Sequence, residues 1–310
     1  MKIAIIGTGG VGGYFGGRLA RINNEVSFLA RGSHLKTLKE KGLTVKSING
    51  DFTLPSINAS DKIEDLGVQD FILVCVKAWQ MKDIAQDLKK IMHDKTVVLP
   101  LENGVTSSTE MEEALGKGFV LGGLCRIISK IESPGVISHV GIDPEILFGE
   151  FDNSVTPRVK EIKALFDAAG IKSMIAPDIT AEIWKKFLGI CMSGLMAVTR
   201  TTYGELRELP ETRKMMIDLM TEIYDLALKA GVNIKAGYVD EVVAVIDSYP
   251  YDSSTSLARD IWEGRPSEIE YQNGTVVKVA EKYGFDVPIN RFVYNCILPM
   301  ELKARGKLKG

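Results

Sequence analysis

The chain has 310 residues, 45% of them apolar and 25% charged, which excludes disordered and collagen-like architectures and predicts a globular chain of two domains at roughly 150 residues each. Its 38 basic and 40 acidic side chains leave a net charge of −2, so no overall field draws it onto nucleic acid or an anionic membrane, and neither is an expected partner. Any phosphate it binds must be held locally.

Residues 2–6 form a short continuous apolar run, the pattern of a strand buried on both faces, and residues 11–22 read as a helix opened by glycines. A second strand spans 26–30, and further strands are expected at 71–76 and 96–101, with helical patterning between them at 81–92. Strands alternating with helices indicate βαβ units and a parallel sheet. A run at 119–124 leads into 134–148, where turn residues and short β-like runs suggest added antiparallel strands. A helix at 159–169 closed by Gly170 and a last strand at 171–176 bring the chain to Pro177, the expected domain boundary.

Beyond Pro177 the strand signals vanish. Met216, Leu219, Met220, Ile223, Ala227 and Ala230 recur at helical spacing with Gly231 as a stop, which predicts a helix over 211–230. Similar patterns occupy 178–198, 238–248, 254–262, 268–283 and 289–303, the last expected to kink or split at Pro299. Its apolar C-terminal helices suit either a homodimer interface or packing on one another.

Seven of the 30 glycines fall in the run GTGGVGGYFGG, starting at Gly7. Gly7-Thr8-Gly9-Gly10-Val11-Gly12 matches G-x-G-x-x-G between a strand and a helix, the setting that aims backbone N–H groups and a helix dipole at a pyrophosphate. An NAD-binding chain usually places Asp or Glu at the end of its second strand to hold the ribose hydroxyls, but here Arg31 stands there, with donors suited to the 2′-phosphate of NADP. Lys77, past the strand at 71–76, reaches the same sheet edge. The expected fold class is therefore α/β: a Rossmann-like NADP-binding domain over 1–177 and a mostly α-helical substrate and catalytic domain over 178–310.

The cysteines, Cys75, Cys125, Cys191 and Cys296, are far apart in apolar contexts, and the chain has 3 histidines, so no metal site or disulfide framework is expected. The N-terminal apolar run is shorter than a signal-peptide core of ~7 to 15 residues. No run approaches the ~20 apolar residues of a membrane span, so a cytoplasmic location is the expectation.

A hydride from NADPH needs a proton donor and groups that orient a carbonyl. Lys186 lies in an apolar helical stretch, with its neighbour Lys185 an equal contender for the inward position. Asn103 follows a strand at the ligand edge but is also part of an ordinary Asn-Gly turn; Ser256 reads as a helix cap, and Glu268 as a first-turn carboxylate.

KIAIIGTGGVGGYFGGRLA, the arginine after the second strand, VKAWQ, ENG, EIWKKF and SEIEYQNG are ordered and spaced as in the ketopantoate reductase (2-dehydropantoate 2-reductase) family, which the chain resembles over nearly its whole length. That resemblance implies NADPH-dependent reduction of 2-dehydropantoate to (R)-pantoate, a step toward pantothenate and coenzyme A. It makes Lys186 the proton donor, sets Glu268 near substrate and cofactor and Asn103 by the nicotinamide and substrate, and gives Ser256 a substrate contact. Family members commonly carry asparagines four and eight residues after the lysine, against the substrate; here those positions are Ile190 and Gly194, with Ser193 a partial substitute. The expected substrate is a 2-oxo acid, with 2-dehydropantoate first and a bulkier or less polar acid as the alternative. A non-catalytic NADPH-binding sensor with a decayed pocket is the reading from another class.

Overall fold

The computed structural model describes residues 1–22 and 25–309. In chain order its elements are β1 (Ile3–Ile6), α1 (Gly10–Ala20), β2 (Val26–Leu29), α2 (Gly32–Lys41), β3 (Leu43–Ser47), β4 (Phe52–Leu54), β5 (Asn58–Ser60), β6 (Phe71–Val74), α3 (Met81–Leu88), β7 (Val97–Pro100), α4 (Ser107–Leu115), β8 (Gly122–Ser133), β9 (Val136–Gly149), α5 (Pro157–Ala168), β10 (Lys172–Ile175) and α6 (Ile179–Thr199). Helices α7 (Tyr203–Glu208), α8 (Pro210–Lys229), α9 (Tyr238–Asp247), α10 (Ser256–Trp262), α11 (Asn273–Tyr283) and α12 (Pro288–Ala304) follow. Two compact units result: Met1–Glu102 with Thr106–Glu182, and Asn103–Val105 with Ile183–Gly310. The units part inside α6 rather than at Pro177, and three residues after β7 group with the helices.

The first unit is an α/β fold with a Rossmann-like sheet of order β5-β2-β1-β6-β7, every pairing parallel. Alternate residues of β1 serve two cores. Ile3 and Ile5 pack with Phe15 and Leu19 of α1 and Phe166 of α5, whereas Ala4 and Ile6 pack with Ile84 and Leu88 of α3 and Met111 of α4. Burial on both faces explains why these strands are continuous apolar runs in the sequence.

A second sheet, order β10-β9-β3-β4 with β8 on the other edge of β9, differs from expectation. Residues 134–148 form mostly one long strand that is antiparallel to β8 yet parallel to β3 and β10. The run at 119–124 enters β8 only at Gly122, with Val120 making a single parallel bridge to Val98.

The second unit is helical throughout its regular structure. Its buried residues include Leu188, Met192 and Leu195 of α6, Met216, Leu219 and Ile223 of α8, Val276 and Ala280 of α11, and Val293 and Ile297 of α12. Pro299 does not split α12: the ring removes one helical N–H, but burial of Val293, Ile297 and Glu301 holds both halves in place. The helix expected over 268–283 begins at Asn273, after a short 3₁₀ turn at Ile269–Tyr271.

Candidate functional site

The glycine-rich turn joins β1 to α1. Gly7 has φ of 95°, a left-handed conformation that side chains disfavour. Its N–H, the Thr8 N–H and the Thr8 hydroxyl donate to the Leu29 carbonyl at 3.3, 3.1 and 3.0 Å, which ties the turn to the end of β2. A Cβ on Gly12 would lie 2.1 Å from the Gly7 carbonyl oxygen, so a side chain there would push α1 off the strand. Gly10 packs against the Ser129 carbonyl, and Val11 against the core, whereas a Cβ on Gly9 would meet nothing within 4 Å.

Bare backbone at Gly9 therefore faces open space. The Gly13 N–H makes a bond to the Gly9 carbonyl at 2.8 Å, and the N–H groups of Gly10, Val11 and Gly12 precede the first helical bonds of α1, whose first turn holds no acidic side chain. Such a turn fits the pyrophosphate of a dinucleotide. Arg31, exposed immediately before α2, makes no side-chain hydrogen bond or ion pair with the described residues. Lys77 lies just past β6, its Nζ 5.7 Å from the Trp79 ring centroid. Both cations occupy the carboxyl edge of the parallel sheet, where open α/β sheets take their ligands. Beneath the turn, burial above all pushes the Cys75 thiol well above its usual range, which leaves it unreactive.

In the helical unit the Asn103 carboxamide joins two charged side chains. Lys186 Nζ donates to Asn103 Oδ1 at 2.9 Å, and Asn103 Nδ2 donates to Glu268 Oε2 at 3.0 Å. An amide turned the other way would set donor against donor and acceptor against acceptor. Glu268 is 7% exposed, and Lys186 is half-buried. The neighbouring Lys185 lies instead with Nζ 5.6 Å from the Tyr238 ring centroid, which resolves the choice between the two lysines for this contact.

A feature the sequence reading missed fixes Glu268 in place. Ser267, wholly buried, donates through its N–H and Oγ to Glu301 Oε2 at 2.8 and 2.6 Å, and Arg305 Nη2 donates to the Ser267 carbonyl at 3.0 Å. Arg305 Nε also pairs with Glu301. In sequence Glu301 and Arg305 look like an ordinary i,i+4 surface pair. Only the fold reveals that α12 anchors the segment ahead of Glu268.

Ile190, one turn past Lys186 on α6, is half-buried, and Gly194 is buried. A Cβ on Gly194 would fall 2.3 Å from Asn273 Oδ1 and 2.7 Å from Val293 Cγ1. Asn273 is wholly buried and donates to Asn290 Oδ1 at 2.9 Å; Asn290 in turn donates to Glu222 Oε2 at 2.8 Å and the Leu219 carbonyl at 3.1 Å. Ser193 is buried beside them. Ser256 is the exposed first residue of α10, and its reading as the cap is corrected: Thr255 caps that helix, its hydroxyl accepting from the Ala258 N–H at 3.2 Å.

A held ammonium linked through an amide to a carboxylate can protonate an oxygen on which negative charge develops. Among the described residues no group of His, Cys, Asp and Glu is arranged to hold a metal, and no helix is long and apolar enough to cross a membrane.

With a parallel sheet opened by a glycine-rich turn in one unit and the Lys186–Asn103–Glu268 hydrogen bonds in the other, the chain is an oxidoreductase, of a family that binds a nicotinamide dinucleotide. Family models make the assignment specific: "Ketopantoate reductase PanE/ApbA" matches residues 3–153 and "Ketopantoate reductase PanE/ApbA C terminal" matches 178–301. The chain belongs to the ketopantoate reductase family, whose substrates are small 2-oxo acids.

It is 31% identical to the 2-dehydropantoate 2-reductase of Nostoc sp., over 95% of this chain and 93% of that one. Among solved structures, a PanE/ApbA family ketopantoate reductase from Ralstonia eutropha superposes with a TM-score of 0.90 at 28% identity, covering 98% of this chain and 100% of the other. The fold is also shared, at 24% identity and a TM-score of 0.88 over 98% of this chain and 100% of the other, with a D-mandelate dehydrogenase solved with NADH and anilino(oxo)acetate.

Proposed function

We propose that the protein reduces a 2-oxo acid with NADPH in the cytoplasm, and that 2-dehydropantoate, giving (R)-pantoate, is its first substrate. The Lys186–Asn103–Glu268 chain of hydrogen bonds carries this reading. NADPH, when bound, supplies the hydride from nicotinamide C4 to the keto carbon. Lys186 donates a proton from Nζ to the carbonyl oxygen as charge builds there. Asn103 aims that Nζ through Oδ1, and Glu268, steadied by the Ser267–Glu301 contact, holds the far end of the amide. Arg31 supports NADPH over NADH, because the end of β2 offers a guanidinium where a ribose-binding carboxylate is usual. Four free thiols support a reducing compartment.

Ile190 favours a second reading, a 2-oxo acid with a less polar side chain. Half-buried and one turn from Lys186, it offers methyl groups where an amide would bind a hydroxyl, and Asn273 and Val293 fill the room beside Gly194.

Comparing kcat/KM for 2-dehydropantoate and 3,3-dimethyl-2-oxobutanoate, the same acid without its hydroxyl, separates the two readings. A site built to hydrogen-bond the hydroxyl favours the first acid by up to about 10⁴. A ratio near or below one selects the second reading. Lys186→Ala should lower kcat by about 10² to 10⁴ while NADPH affinity, read by nucleotide fluorescence, stays within twofold. Unchanged turnover would remove Lys186 from the chemistry.

A further inference from the structure

Besides Arg31 and Lys77, the carboxyl edge of the first unit's sheet carries a further cation that no sequence motif marked. Strand β5 pairs parallel with β2 in the register Ser27↔Asn58, Phe28↔Ala59 and Leu29↔Ser60, and the Ala30 N–H extends the pairing to the Ser60 carbonyl at 3.0 Å. Two residues beyond the last matched pair stand Arg31 and Lys62. Adjacent strands run about 4.8 Å apart, so the two backbones leave the sheet side by side.

Both residues line one cavity of about 250 Å³, with Leu29, Asp61, Glu64 and Lys90 also in its wall. That is room for part of a ligand rather than a whole dinucleotide. Charge pairing sorts the cations in this wall. Lys90 is held by Glu64 and Asp87, each at 2.8 Å, and the three together carry one net negative charge. Arg31 and Lys62 are exposed and make no side-chain hydrogen bond or ion pair with the described residues, and Ser60 Oγ is already committed to Asp65 Oδ2 at 2.6 Å. The wall's three cations and three carboxylates balance, but the carboxylates Glu64 and Asp87 are drawn onto Lys90, which leaves Arg31 and Lys62 as the cations of this wall outside an ion pair among the described residues.

We propose that Lys62 is a specificity-determining residue that completes the cofactor's 2′-phosphate site together with Arg31. The proposal rests on the NADPH reading above. Arg31 supplies the planar fork, and Lys62 a point charge from the neighbouring strand, so that a phosphate monoester on the adenosine ribose meets positive charge from two sides. A free ribose hydroxyl gains nothing from the second cation, so Lys62 should act on NADPH and leave NADH alone.

Binding rather than turnover tests this. Fluorescence titrations of NADPH and of NADH would be run on the wild type, Lys62→Ala and Lys62→Arg, with a thermal melt of each variant to confirm folding. Lys62→Ala should raise the Kd for NADPH about tenfold, as expected for loss of one charge-assisted contact, while the Kd for NADH moves less than twofold and Lys62→Arg stays near wild type. The NADPH effect should shrink as salt rises from 0.05 to roughly 0.5 M, because an exposed charge pair is screened. An NADPH Kd within twofold of wild type in Lys62→Ala, or equal weakening of both nucleotides, overturns the role of Lys62 while leaving Arg31 and the NADPH reading standing. A wild type that binds NADH as tightly as NADPH overturns the NADPH reading itself, and this proposal with it.

Discussion

Replacing Gly194 by alanine should destabilise the helical unit, against the usual gain when a helix glycine becomes alanine. The added Cβ would sit 2.3 Å from Asn273 Oδ1 and 2.7 Å from Val293 Cγ1, both on wholly buried residues. Asn273 cannot swing away freely, because its Nδ2 is bonded to Asn290 Oδ1 at 2.9 Å, and Asn290 is bonded to Glu222 and the Leu219 carbonyl. Overpacking a tight core costs about 1–3 kcal/mol. A broken bond that strands a buried amide costs about 1–3 kcal/mol more. Helix propensity returns about 1 kcal/mol. The net loss is about 1–5 kcal/mol with a midpoint near 3, which lowers Tm by about 5 °C at that midpoint in a chain of this size.

Gly189→Ala, five residues earlier on α6, is the internal control. Its Cβ would meet only Val242 Cγ1 at 3.5 Å, an ordinary contact, so it should be stabilising by about 0.5–1 kcal/mol. Urea and thermal unfolding of both variants, with nucleotide fluorescence confirming an intact first unit, measure the difference. Adding Asn273→Ala to Gly194→Ala should cost less than the sum of the single changes, since the clash is then relieved. A Gly194→Ala protein as stable as wild type would refute the reasoning, showing that Asn273 yields at no cost and leaves room for a side chain on that face of α6.

The remaining predictions concern one contact in each unit. Glu301→Ala leaves the Ser267 N–H and Oγ and the Arg305 guanidinium without their buried carboxylate, which should cost about 3–5 kcal/mol, and an unchanged melting curve would show that the contact carries no stability. His34 accepts from the Gly135 N–H through Nδ1 at 3.0 Å, and burial pushes its pKa below the ordinary value of 6.5, the Thr8 carbonyl pulling weakly the other way. A lowered pKa favours the neutral ring in the folded state, so its contribution is full above pH 6.5 and is lost as pH falls from there toward the folded pKa. His34→Gln, which cannot titrate, should flatten the stability curve below pH 6.5, and equal slopes in both proteins would exclude His34 as the cause.

How much of this protein its sequence determines follows from where burial and backbone demands are local. Strands β1, β2, β6 and β7 were legible because both their faces are buried and their apolar runs are unbroken. The glycine-rich turn was legible because Gly7 needs a positive φ and Gly12 a bare Cα, demands that leave a mark in composition. Strands β3, β4 and β5 left no such mark. They are short and only part-buried, and they exist because β9 and β2 offer edges to pair with, which is why Lys62 stayed hidden.

The chemistry divides in the same way. Sequence supplied a lysine, an asparagine and a glutamate far apart in the chain. It took the fold to set Asn103 among the helices, to choose Lys186 over Lys185, and to bring Glu268 to the amide. Gly194 reads in sequence as an absent side chain, yet in three dimensions its place is already filled by Asn273 from another helix. Side-chain spacing along one helix states which residues share a face; what fills the space opposite depends on the packing of α11 and α12, and packing is a property of the whole unit.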